Sequence, residues 1–461
     1  MSFTDSLRSA VKERDEDSRS MPFFCKFTII VIILGIAARL VLGVFMTHIF
    51  DMHHWGLVIQ NINSGNGLYE ITGYFYTPLW GYVLGLEAFF QDLIGVAVTG
   101  EHITAAFPLE GYTWYYIPTV TTIAFNLSVK LMFIISDLIV GYLIFWLLRD
   151  ITKDKKKAMI GFALWFLCPF VMGSGMVIGM FDTICVLMTL LSVIMLRKER
   201  YLESGVMLCM ATLMKFFPGF FIFVFAAFIM SRSRNEETRK NLLLFLVGIG
   251  ATALILFLPQ LLDGTIADSF LFITSRLSDG VGVDELGAVA GYAALFAYVL
   301  ALIVSVIFAL RIKRNDNREI SDRLLFDALL IVTAVMFLYP ALPQYILFIL
   351  PLVLFAMAYD KRYTLSCYLL MIGTSIYVLA GGPTDLVAVA AYTDILNMDS
   401  LMGVIEAYIG PLLGTSLLQL IALIGAAIQY IGVLCILWTR FGERIKGLVR
   451  KHTGKEVASD R

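Results

Sequence analysis

Long apolar runs separated by short polar stretches fill most of this chain. They fall at about 27–47, 79–97, 112–125, 131–148, 158–175, 180–196, 203–230, 241–262, 289–310, 324–340, 344–358, 364–381 and 411–439. Most are apolar on every face, as helices are when lipid or other apolar helices surround them. A helical crossing of a bilayer core takes about 20 apolar residues. The pattern therefore predicts an all-α fold, a polytopic transmembrane helical bundle of about 12–14 membrane segments, with extracytoplasmic loops bearing short interfacial helices. No charged or Gly/Ser-rich linker is long enough to separate soluble domains. The expected organisation is a cytoplasmic N-terminal segment over 1–26, a single transmembrane domain over 27–440 and a cytoplasmic C-terminal tail over 441–461.

Lys and Arg in short loops set the expected orientation. Basic clusters lie between Arg8 and Lys26, Arg149 and Lys157, Arg197 and Arg200, Arg232 and Lys240, Arg311 and Arg323, at Lys361–Arg362, and between Arg440 and Lys455. The loops around 48–78, 173–181, 263–288, 340–344 and 382–410 are nearly free of them. The first set is expected in the cytoplasm together with both termini, and the second outside. Two stretches resist simple alternation. The run 203–230 is too short for two crossings and holds Lys215-Phe-Phe-Pro218 at its middle, where proline breaks a helix. Two half-length helices are expected there, dipping in and returning. The region 98–130 is ambiguous, with 112–125 either a short crossing or an interfacial helix.

Composition sharpens the membrane reading. The 461 residues are 59% hydrophobic and 15% charged, with mean hydropathy +0.83, whereas soluble domains are about 45–50% apolar and about 25% charged. The net charge of −1 offers no basic face for nucleic acid. The six cysteines form no CxxC pair, so neither a disulfide framework nor a zinc site is expected. Residues 1–26 are polar and mixed in charge, and no small-residue cleavage site follows the first apolar run, so a cleavable signal peptide is not expected.

Candidate chemistry gathers in a few places. Asp51 stands at the exit of the first helix, followed by His53, His54 and Trp55, an amphipathic stretch to Ile62, an SGNG turn, and the aromatic run Tyr74-Phe-Tyr76-Thr-Pro78. An aromatic membrane belt with a few polar loop residues is the plainer reading. Asp182 ends the run Gly173–Asp182 and opens an apolar helix, a place the helix dipole already favours for an acid. Lys215 lies far from any charged flank, at an insertion cost of about 2.5–3.5 kcal/mol. A cation there either snorkels or lines a polar path, and beside a helix break it is placed to hold an anion such as phosphate. Gln344 and Tyr345, in the Pro-rich run Tyr339–Pro351, either bind a sugar or satisfy freed backbone carbonyls. Arg276 is the single basic residue of 263–288, by default a solvated loop residue. Asp137 is expected to cap or pair inside the bundle.

In order, these motifs resemble the GT-C superfamily of membrane glycosyltransferases, and look similar to bacterial polyprenol-phosphate-mannose-dependent mannosyltransferases and related eukaryotic dolichol-dependent enzymes. The resemblance is carried by Asp51 after the first helix and by a GxxLY-type element with aromatic-Thr-Pro from Gly65 to Pro78. It continues with Gly179-Met-Phe-Asp182, Lys215-Phe-Phe-Pro218 and Pro343-Gln-Tyr345, spanning about 27–360 of the chain. Thr77 and Met180 depart from the family's usual proline and polar residue.

The resemblance implies a hexosyltransferase, a polyprenyl-phosphate-mannose-dependent mannosyltransferase, of a bacterial or archaeal cell membrane. It would move a hexose from a polyprenyl-phosphate-linked sugar donor to a glycolipid or glycan acceptor of the cell envelope, on the extracytoplasmic face and with inversion. Asp51 would be the general base. Lys215 and Arg276 would meet the donor phosphate, and His53, His54, Tyr76, Asp182, Gln344 and Tyr345 would bind substrate. A single donor phosphate needs no chelation, so neither a cofactor nor a metal site is expected, although Asp51, His53, His54 and Asp182 are of types able to hold a divalent cation. The rival readings are a lipid or glycan transporter or flippase, which would favour inverted repeats and midplane charges, and a non-catalytic partner in an envelope complex.

Overall fold

A computed structural model of the chain describes residues 23–70, 74, 76–100, 105–106, 116–117, 119–233, 235–270, 285–315, 317–339, 341–412 and 415–452. The described residues are almost entirely helical. The helices are α1 (Lys26–Phe45), α2 (Ile49–Asn63), α3 (Pro78–Ile94), α4 (Ile123–Thr152), α5 (Lys155–Phe166), α6 (Pro169–Gly173), α7 (Asp182–Arg197), α8 (Tyr201–Met214) and α9 (Ile222–Arg232). There follow α10 (Asn235–Asp263), α11 (Glu285–Lys313), α12 (Arg318–Met336), α13 (Ile349–Tyr359), α14 (Thr364–Val378), α15 (Val387–Tyr392), α16 (Met398–Ile409) and α17 (Leu417–His452). Among the described residues, six helical stretches are long and apolar enough to cross a membrane, or seven if the pair Lys155–Phe166 and Pro169–Ile178, bent by 42°, counts as one span. Tyr201–Met214, Phe217–Arg232 and Pro343–Tyr359 are apolar but shorter.

Two sequence expectations give way. Where it is described, 112–125 is neither a crossing nor an interfacial helix: Tyr116–Ile117 pairs antiparallel with Ala105–Ala106. Thr122 then caps α4 by accepting from the Phe125 N–H. The β-branched run Val120-Thr121-Thr122 after Pro118 disfavours a helix before that cap. Similarly, Pro411–Leu412 pairs with Thr415–Ser416, so the last helix starts at Leu417, and it runs on to His452. The expected break at Lys215 is present. Its backbone is extended (φ −146°, ψ 134°) and ends α8, and a 3₁₀ turn over Phe217–Phe221 leads into α9.

The chain forms two compact units. The first comprises Met1–Gly73, Tyr82–Leu190 and Gly381–Leu418. In it α1 packs on α4 and α5, and α15 packs on α16. Leu401, Ile405 and Ile409, four residues apart on α16, bury one stripe against Ile49, Val120 and Val387, as an amphipathic helix should. The second unit comprises Tyr74–Gly81, Leu191–Ala380 and Gln419–Arg461. There α8 packs on α10, α9 on α11 and α12, and α12 on α13.

Asp137 finds its partner inside the first unit. Arg39 of α1, fully buried, pairs with Asp137 of α4 at 2.8 Å. The guanidinium also donates to the Gly35 carbonyl (3.2 Å) and the Phe166 carbonyl (2.7 Å), and it lies 4.1 Å from the Phe166 ring centroid. Trp165 Nε1 donates to the Asp137 carbonyl at 3.0 Å. Desolvating two ions is costly, and removing one partner leaves the other uncompensated. Asp137→Leu is expected to lower unfolding free energy in detergent by about 3–5 kcal/mol. The double variant Arg39→Met/Asp137→Leu should recover most of the loss in the same unfolding measurement.

Candidate functional site

The Asp51 neighbourhood is built around a three-residue turn, Met46–His48, between α1 and α2. Each backbone N–H of the turn has a defined partner. The Met46 N–H donates to the Leu42 carbonyl at 2.8 Å, the Thr47 N–H to the Asp385 carbonyl at 2.6 Å, and the His48 N–H to the Val177 carbonyl at 2.7 Å. Lys130, buried on α4, donates to the carbonyls of Gly43 (3.2 Å) and Met46 (3.0 Å) and to Thr47 Oγ1 (2.6 Å). The turn is thus held by three chain segments distant in sequence.

His48 precedes α2, and Asp51 lies in its first turn, where the unpaired N–H groups and the helix dipole favour a carboxylate. The His48 ring lies between two acids, with Nε2 3.9 Å from Asp51 Oδ2 and Nδ1 3.4 Å from Asp385 Oδ1. The Asp51 side chain keeps 16% of its surface open, whereas that of Asp385 keeps 2%. Burial works against a charge on the His48 ring, but the hydrogen bond to Asp385 and the charges of Asp51 and Asp385 outweigh it and raise its pKa to about 9. The ring sits among neighbouring atoms yet leaves 41% of its surface open.

His53 and His54 lie in other surroundings. His53 Nδ1 is 3.1 Å from both the carbonyl and the hydroxyl oxygen of Thr119. Burial holds its pKa below the ordinary value, against the hydrogen bond to Thr119. The His54 ring meets Phe50 edge-on at 4.6 Å, and burial, then the neighbouring His53, lowers its pKa. Asp182 opens α7 and is fully buried. Just before it, a π turn over Ser174–Ile178 ends at Gly179 with φ +78°, and the Gly179 carbonyl accepts from Trp55 Nε1 at 2.9 Å. That bond ties α2 to the segment that positions Asp182.

In the second unit, Lys215, Tyr76 and Tyr345 come together. Lys215 is 3% exposed, and its Nζ lies 5.3 Å from the Tyr76 ring centroid and 5.2 Å from that of Tyr345. Two aromatic faces on a desolvated ammonium each contribute up to about 2 kcal/mol. Tyr76 is held by its flanks: the Tyr74 hydroxyl donates to the Thr77 carbonyl at 3.0 Å, and Thr77 Oγ1 donates to the Leu213 carbonyl. Tyr345 packs edge-on against Phe217 at 4.9 Å. Gln344, buried, shares the 3₁₀ turn Pro343–Phe348 with Tyr345. Arg276 lies outside the described residues.

Three participants were not evident in the sequence reading. Lys130 carries the signature that singled out Lys215, a lone cation within an apolar run (SVKLMFII). Asp385 is an acid in the Lys- and Arg-poor loop 382–410. His48 carries no local signal, because its role depends on an acid more than 300 residues away along the chain. Among the described residues, no group of three or more His, Cys, Asp or Glu side chains is arranged to hold a metal ion.

Residues 112–339 match the family model of glycosyltransferase family 87, a family of GT-C-type membrane enzymes. The matched segment contains Asp182 and Lys215 and begins after Asp51. A comparison with curated proteins gives no match.

Gly179 offers a test of how α2 is seated. A Cβ there would stand 2.6 Å from Met52 Sδ on a backbone with φ +78°, a left-handed conformation that costs about 1–2 kcal/mol for residues other than glycine. Gly179→Ala is expected to destabilise the protein by about 1–3 kcal/mol. Adding Met52→Ala should fail to restore wild-type stability in a thermal unfolding assay, because the backbone term remains.

Proposed function

We propose that this chain, a membrane glycosyltransferase of the GT-C type, transfers a hexose, mannose by its resemblance, from a polyprenyl-phosphate donor to a lipid-linked or cell-envelope glycan. Transfer takes place on the extracytoplasmic face of a bacterial or archaeal membrane, with both termini in the cytoplasm. The observation that carries the reading is the environment of Asp51. It is a carboxylate in the first turn of a helix, 16% open, beside a histidine whose other ring nitrogen meets a second, buried acid.

In this scheme the acceptor hydroxyl oxygen attacks the anomeric carbon from the side opposite the phosphate. Its proton passes to the Asp51 carboxylate as the new glycosidic bond forms. The bond between the anomeric carbon and the phosphate oxygen breaks, and polyprenyl phosphate leaves as an anion. One displacement inverts the anomeric centre, unlike the two-step route of retaining carboxylate pairs. A phosphate leaving group needs little help from an acid, so a single base suffices.

Lys215 is assigned to the donor phosphate, where negative charge grows as the bond breaks. Tyr76 and Tyr345 hold its ammonium between their ring faces, at the point where α8 ends. Gln344, Asp182, His53 and His54 are assigned to sugar and acceptor, and Arg276 to the donor phosphate with Lys215. The scheme requires no metal or organic cofactor.

Asp51→Asn should insert and fold normally but transfer mannose from polyprenyl-phosphate mannose about 10²–10⁴-fold more slowly. Near wild-type turnover would remove Asp51 from the role. Lys215→Met should raise KM for the donor more than KM for the acceptor in the same assay. Equal effects on both substrates would count against phosphate binding there.

A further inference from the structure

We propose that Asp385 is a positioning residue for Asp51, acting through Thr47 and His48, with Lys130 bracing the same turn. The inference rests on the reading of Asp51 as the base. It concerns a segment, Leu379–Leu386, that comes more than 300 residues later in the chain.

Asp385 grips the turn twice. Its carbonyl accepts from the Thr47 N–H at 2.6 Å, and its carboxylate meets His48 Nδ1 at 3.4 Å. The carboxylate has little freedom to leave that position. A Cβ on Gly381 would stand 2.2 Å from Asp385 Oδ2, so only glycine fits there. Gly382 turns the segment with φ +55°, a conformation that suits glycine. Thr384 Oγ1 donates to the Gly381 carbonyl at 2.8 Å and fixes the bend. A buried carboxylate that accepts no compensating charge is costly, so seating Asp385 here favours a cation on the neighbouring ring.

Lys130 accounts for the other side of the turn. All three of its ammonium donors are used, on Gly43, Met46 and Thr47, which are the groups at the C-terminal end of α1 where a cation is favoured. The charge of Asp385 also reaches it. The backbone from Gly43 to His48 is thereby fixed before α2 begins, and the direction of the Asp51 side chain follows three residues later.

The charged and titratable groups around His48 are Asp51 from α2, Asp385 from the Leu379–Leu386 segment, Lys130 from α4, and Tyr408 from α16. The Tyr408 hydroxyl packs against Gly382, and burial, then the charge of Asp385, raises its pKa. With both acids in place the His48 ring is protonated at neutral pH. A cation 3.9 Å from Asp51 favours the ionised carboxylate, the form able to accept a proton. The sign is fixed by the raised pKa: the interaction is complete below about 6.5 and is lost as pH rises through about 9.

The test is a titration of the full chain in lipid nanodiscs with ring-¹⁵N-labelled histidine, the His48 signal being identified by its loss in His48→Gln. In the wild type its midpoint is expected near 9. Asp385→Asn should lower it by about two units or more, and Asp385→Glu, which keeps the charge, should restore most of the shift. An unchanged midpoint in Asp385→Asn overturns the proposal. If that variant does not fold, a wild-type midpoint at or below 6.5 overturns it equally. The titration detects no sugar transfer, so its failure removes Asp385 from the positioning role alone. Failure of polyprenyl-phosphate mannose as a donor would remove the transferase scheme and leave the His48 coupling standing.

Discussion

A charge placed among apolar helices must be compensated where it lies, because lipid and packed side chains supply neither water nor counter-ions. Three buried cations among the described residues meet that constraint differently. Arg39 is matched by the opposite charge of Asp137 and by two carbonyls. Lys130 spends its three donors on a helix end and a threonine. Lys215 lies over two tyrosine faces at the end of a short helix. Arg39 is paired with an acid and Lys130 has all three donors bonded, in both cases by groups of the fold itself. The two tyrosine faces attract the Lys215 ammonium through their ring quadrupoles.

The same contrast separates the acids. Asp137 is sealed, and Asp385 keeps only 2% of its side-chain surface open and is occupied with His48. Asp51 shares that histidine but retains 16% of its surface. A general base needs an ionised carboxylate that its substrate can reach. The more buried acid stands on one side of the histidine and the more open acid on the other, and a cation between them favours the ionised form of both. The helix dipole of α2 adds to the same bias.

Much of this fold was legible in the sequence because lipid solvation forces long apolar runs. The runs at 27–47, 79–97, 180–196, 241–262 and 289–310 became helices close to those limits. The break at Lys215 was legible because a lysine and a proline interrupt a run that would otherwise continue. The described residues of 112–125 ahead of α4, 116–117 and 119–122, misled because aromatic and β-branched residues there are as apolar as a helix would be, and the local preference for extended backbone decided the outcome. The partnership of His48 with Asp385 could not be read from spacing. Nothing local to residue 48 signals an acid that only the folded chain brings to it, whereas Lys130 could have been found by the rule that singled out Lys215.

The family 87 match covers 112–339 and so includes Asp182, the break at Lys215 and the helices that support it, while Asp51 and the Gln344–Tyr345 pair fall outside. The transferase class and the individual roles therefore rest on different ground: the class on that matched segment, the roles on local geometry. Asp51 illustrates the second kind of argument. A carboxylate in the first turn of a helix is stabilised there whether or not it works as a base, so its position alone decides nothing. A carboxylate that only capped α2 would have no need of a histidine cation, nor would that histidine need a second acid wedged beside a glycine to stay charged. Capping accounts for Asp51 alone, and it is the proposed proton transfer that gives the histidine beside it a role.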